Sequence, residues 1–98
     1  MGEVDQFPYK HLPLPSAALQ GNLRSQAQLG MRLGLGRGVP QDYGQSYVWL
    51  SLAVAGGDRN AKELMEKMRG LLSPPQLAAA QARASELFKQ IEQNQKSE

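Results

Sequence analysis

Gly36-Arg37-Gly38-Val39-Pro40-Gln41-Asp42-Tyr43 is the stretch on which the reading of the fold turns. Glycine takes a positive φ at little steric cost, so Gly36 and Gly38 end a preceding helix and redirect the chain. Pro40 disfavours helix at the residue before it. Asp42 then offers a carboxylate to the first free amides of a new helix, and Gln45 stands three residues on, at capping-box spacing. The eight residues read as a joint between two helices folded back on each other, with Val39 as an apolar plug.

Outward from the joint the pattern is helical on both sides. Upstream, Leu23, Ala27, Gly30, Met31 and Gly34 recur at helical spacing over Leu23–Leu35, with Leu29 and Leu33 beside them. Arg24, Gln28 and Arg32 form one polar stripe. Gly30 and Gly34 weaken that helix by about 1 kcal/mol each relative to alanine, which predicts a neighbouring helix in close approach. Asn22 is its expected N-cap, after a short helical piece from Ser16 to Gln20 that Gly21 stops. Downstream, a helix from Tyr43 to Ala55 carries Tyr43, Tyr47, Leu50 and Val54 on one face and Ser46, Trp49 and Ala53 on the next. Such a helix is buried on two sides, and Gly56-Gly57 ends it. Asp58 or Asn60 caps a third helix with Ala61, Leu64, Met65, Met68, Leu71 and Leu72 inward. Ser73, Pro74 and Gln76 open a fourth, whose apolar face is Leu77, Ala80, Ala84, Leu87, Phe88 and Ile91. Residues 1–15 hold Pro8, Pro13 and Pro15 and read as an extended lead-in. Residues 93–98 read as a polar tail that frays. Nothing reads as a strand, so the fold class expected is all-α, with about four to five short antiparallel helices.

Composition bounds the chemistry. The chain has 98 residues, one histidine and no cysteine. Disulfides, thiolate metal sites and a cysteine nucleophile are excluded. His11, in the lead-in with no acid or base beside it, reads as a solvated linker residue. No catalytic, cofactor-binding or metal-ligating set is expected. A formal charge of +2, with scattered basic residues, argues against nucleic acid as the main partner. No apolar run approaches the ~20 residues of a membrane span, and no signal-peptide pattern is visible. Cytoplasm and periplasm both remain open. Gly34-Leu35-Gly36-Arg37-Gly38 follows a helix rather than a strand and lacks a lysine-serine or lysine-threonine pair, so turn glycines explain it better than a phosphate loop. Asp42 reads as a cap rather than a catalytic acid. Glu63 and Glu66, among Lys62, Lys67 and Arg69, read as a solvated face.

The chain also resembles itself. Ala17-Ala18-Leu19-Gln20-Gly21-Asn22 matches Ala53-Val54-Ala55-Gly56-Gly57-Asp58 at an offset of 36 residues (17 against 53). The match runs on through Ser25 and Ala61, Leu29 and Met65, Gly34 and Gly70, Leu35 and Leu71. A period in the thirties with two helices per unit is the mark of an α-solenoid. The expected organisation over 16–92 is the end of one unit, a complete unit at about 22–57 and a divergent terminal unit at about 58–92.

Leu29-Gly30, the Gly36–Tyr43 joint, Trp49-Leu50, Ala53 and Gly57 together resemble a Sel-one-like repeat, a relative of the tetratricopeptide repeat. The likeness is close over 25–57 and loose over 16–92. Ser25 stands at a position where the family has a small residue, and Leu33 where an aromatic is common. Leu72-Ser73-Pro74-Pro75-Gln76-Leu77 resembles the segment that often closes such arrays. The resemblance implies a right-handed α/α superhelix that serves as a scaffold for a protein or peptide partner. Cysteine-rich members credited with β-lactam-related activity are a poor match to this cysteine-free chain. If units stack as the resemblance implies, the first helix of each unit lines the inner face. The candidate protein-binding residues there are Arg24, Gln28 and Met31, with Asn60, Glu63 and Lys67 from the following unit. The alternatives are a structural helical bundle that associates with a second copy, favoured by there being one complete repeat only, and a small hydrolase-like enzyme.

Overall fold

The computed structural model describes residues 17–96, with side chains to 94. The lead-in, with Phe7, Tyr9, His11, Leu12 and Leu14, lies outside the described residues. A last turn of helix at 17–19 precedes four helices: α1 (Leu23–Leu35), α2 (Tyr43–Ala55), α3 (Ala61–Leu71) and α4 (Pro74–Lys96). No strand occurs among the described residues.

Each boundary has a visible cause. The Asn22 side chain accepts from the Ser25 amide at 2.8 Å, opening α1. Gly36, at φ 73°, closes it, and the Arg37 amide donates to the Arg32 carbonyl at 2.9 Å. The joint then satisfies the next two carbonyls of the last turn. The Asp42 amide donates to Leu33 O at 2.8 Å, and the Gln41 side chain donates to Gly34 O at 2.9 Å. Helix ends leave such carbonyls without intrahelical donors, so the joint is fastened to the helix it terminates. Val39 is buried, as a plug would be. Asp42 Oδ1 accepts from the Gln45 amide at 2.9 Å and starts α2. The return half of that capping box does not form: no donor among the described residues reaches the buried Gln45 Oε1. Ser73 and Gln76 form both halves, at 2.9 and 3.3 Å, and start α4. At α3 the capping carboxylate is that of Asp58, which accepts from the Asn60 and Ala61 amides; the Asn60 side chain makes no cap bond.

α2 is the axle of the fold. It packs on α1, α3 and α4, whereas α3 and α4 scarcely touch each other. Ser46, Tyr47, Val48, Trp49, Leu50, Leu52 and Ala53 are all buried, which is nearly its whole circumference. The helix is apolar all round because it has partners all round.

α1 and α2 run antiparallel and in close approach. A Cβ added at Gly30 would stand 2.7 Å from Leu50 Cγ, and one at Gly34 would stand 2.9 Å from Ser46 Oγ. The approach lets the Ser46 hydroxyl donate to the Gly30 carbonyl at 2.6 Å, inside the core. α4 runs parallel to α2. Its start faces Asp42, Gln45 and Val48, and Asn94 near its far end donates to Leu19 O at 3.0 Å. The helix therefore reaches Lys96, further than its apolar pattern, which ends at Ile91.

Candidate functional site

α1 presents one face to α2 and the opposite face to solvent. The buried face is Ser25, Gln26, Leu29, Gly30, Leu33 and Gly34. Gln26 goes inward because its side-chain amide donates to the Ala18 carbonyl at 3.1 Å, where the preceding helical turn lies across it. That rotates the helix away from its simplest hydrophobic reading: Leu23 and Ala27 are half-buried and Met31 is 40% exposed. A large thioether left on the surface between polar residues is where the site begins.

Two open grooves meet at this face. One, of about 530 Å³, is lined by Leu23, Arg24, Ala27, Gln28 and Met31 on one side and the α2–α3 connection, Gly57 to Asn60, on the other. The second, of about 430 Å³, is lined by Gln28, Met31, Arg32, Arg37 and Gly38. Gln28 and Met31 belong to both, so the grooves form one strip along α1. Four of the six sequence-expected residues, Arg24, Gln28, Met31 and Asn60, line it. Glu63 and Lys67 are exposed on α3 and do not line either groove.

Sequence reading missed Arg59 and Arg37. Both sit in connections, where helical periodicity assigns no face. Two arginines thus line the groove at each end of the strip: Arg24 and Arg59 at one, Arg32 and Arg37 at the other. Among the described residues no carboxylate forms an ion pair with any of the four. Asp58, the acid at that end, spends one carboxylate oxygen on the Asn60 and Ala61 amides.

A further groove, of about 390 Å³, lies between the start of α2 and α4, lined by Asp42, Gln45, Val48, Leu72, Gln76 and Arg83 among others. Three of its polar side chains are engaged within the fold, whereas the buried Gln45 Oε1 has no donor among the described residues. Asp42 caps α2, Gln76 closes the α4 capping box and Arg83 stands 3.5 Å from Glu86. This groove is the seam between α2 and α4. Among the described residues no group of three or more histidines, cysteines or carboxylates could hold a metal ion, and no helix is long and apolar enough to cross a membrane. No family model matches the chain, and no curated protein or solved structure is significantly similar to it.

Proposed function

We propose that the chain is a helical-repeat binding module of the Sel-one-like type, which holds a protein or peptide segment and performs no chemistry of its own. The observation that carries this reading is the strip on α1. Charged side chains with no ion-pair partner in the described fold, around an exposed methionine, form a surface with unused interaction capacity. Methionine adapts its shape to an apolar partner, and arginine is enriched where proteins meet. The grooves are open along their length, which suits a chain laid across the surface better than an engulfed small molecule. The repeat reading is supported by the Gly36–Tyr43 joint and by the antiparallel α1–α2 pair; α3 and α4 each pack on α2 but scarcely on each other, which departs from a second stacked pair. Selection of displayed random dodecapeptides tests the reading. Peptides enriched on the parent and lost on an Arg24→Glu, Met31→Ser variant with unchanged helicity support it. Peptides retained by that variant remove the strip from the proposal.

A second reading has its own observation. Leu35, Leu71 and Phe88 are half exposed or nearly so, at 50%, 54% and 45%. A second copy would cover such side chains where they form one contiguous patch. Sedimentation across a wide concentration range distinguishes the two, since a monomer throughout argues against self-association.

A further inference from the structure

The strip has a spacing as well as a charge, and together these specify an occupant. Arg24 and Arg32 are eight residues apart on one helix, which at ~1.5 Å per residue separates their Cα atoms by ~12 Å. Arg59 lines the first groove with Arg24, where Asp58 is the one acid among the described residues and already accepts two backbone amides, and Arg37 lines the second with Arg32, so arginine outnumbers carboxylate at both ends. Between them lie Ala27, Gln28 and Met31, with the Met31 side chain exposed and the uncharged Gln28 amide beside it. An extended peptide advances ~3.3 Å per residue, so ~12 Å is about four residues, and residues two apart point to the same side. A chain laid along α1 would present positions i, i+2 and i+4 to the strip together.

We infer that the occupant of this strip is an extended acidic segment of the pattern acidic-x-apolar-x-acidic. One carboxylate lies between Arg24 and Arg59, the apolar side chain rests on Met31 and Ala27, and the second carboxylate lies between Arg32 and Arg37. Guanidinium binds carboxylate with paired, charge-assisted hydrogen bonds, and each end supplies two such groups. This inference rests on the binding-module reading and adds the chemistry of the partner. A nucleic acid fits the strip less well. A phosphate backbone carries charge at every step and prefers a continuous positive track, whereas here the positive ends are interrupted by an apolar and an amide side chain. Among the described residues no aromatic lines either groove to stack on a base, and single-strand binders use such platforms.

The test uses the full chain and three fluorescein-labelled probes, read by anisotropy. The first is a peptide of glycine and serine with glutamate at its third and seventh positions and leucine at its fifth. The second has the same composition with the two glutamates adjacent. The third is a single-stranded oligouridylate of similar length. The spaced peptide should bind at least tenfold more tightly than either other probe, and more weakly as salt is raised. Arg24→Glu with Arg32→Glu should lower its affinity at least tenfold. Arg83→Glu with Lys89→Glu, the same charge change on α4, should leave it within twofold. Circular dichroism of both double variants confirms that each is folded.

Equal binding of the two peptides overturns the spacing, tighter binding of the oligouridylate overturns the partner class, and equal losses in the two double variants overturn the site. If no acidic peptide binds while selected non-acidic peptides still depend on the strip, this inference falls and the binding-module reading stands. If no selected peptide depends on the strip, the reading falls with it.

Discussion

Replacing Gly30 with alanine should destabilise the protein, although the same change in a free helix would stabilise it. Alanine gains about 1 kcal/mol over glycine inside a helix. At Gly30 the new methyl would lie 2.7 Å from Leu50 Cγ, 2.9 Å from Leu50 Cδ2 and 3.2 Å from the Leu50 backbone nitrogen. Carbon atoms in good contact sit about 3.5–4.0 Å apart, so something must move by close to 1 Å. Leu50 is only 1% exposed and has nowhere to go. Overfilling a packed core costs about 1–3 kcal/mol. Moving α1 off α2 would also stretch the 2.6 Å bond from Ser46 Oγ to Gly30 O, which contributes about 1 kcal/mol. The net expectation is a loss of about 1–3 kcal/mol, or a fall in Tm of roughly 4–8 °C for each kcal/mol. Gly70→Ala is the internal control. Gly70 lies in α3 with nothing within 4 Å of its added Cβ, so that variant should gain up to about 1 kcal/mol. Both are measured by thermal and urea unfolding followed at 222 nm. Gly30→Ala unfolding at or above the parent temperature would refute the close approach of α1 and α2.

The joint and the long last helix carry further expectations. Asp42→Ala removes the acceptor for the Gln45 amide and should cost about 1 kcal/mol, seen as a lower urea midpoint with unchanged slope. Gly38 sits at φ 75° with open space around its Cβ position, so strain alone should lower the Tm of Gly38→Val, and Gly38→Asn should recover much of the loss. Leu87, 1% exposed, anchors α4 in the core; Leu87→Ala should cost about 2–5 kcal/mol, a large share of the stability of so small a domain.

Much of this fold is legible in the chain because its helix ends are chemically marked. Asn22, Asp42 and Ser73 all accept the amides expected of caps, and Gly36 takes the left-handed conformation that ends α1. The two-sided burial of α2 follows from its continuous apolar composition, and the small residues Gly30 and Gly34 mark the line of closest approach. The rotation of α1 about its axis was not legible. Hydropathy points Met31 inward, but Gln26 is drawn in by a carbonyl eight residues upstream, and local periodicity does not register that bond. The length of α4 is a similar case, since Asn94 is bonded to a carbonyl 75 residues away. For the candidate site, helical spacing brings Arg24, Gln28 and Met31 together, and the repeat offset adds Asn60. The same offset extends to Glu63 and Lys67, which stand further along α3 than the α2–α3 connection that walls the groove. Arg37 and Arg59 complete the charge pattern from connections whose orientation only the folded chain defines.

The most direct measurement is an amide chemical-shift titration of the isotopically labelled full chain with the spaced acidic peptide. Saturable shift changes should concentrate on Arg24 to Arg37 and Gly57 to Asn60, leaving the seam lined by Asp42, Gln45 and Arg83 unmoved. Changes centred on that seam, or spread evenly over the molecule, would contradict the α1 strip as the binding surface.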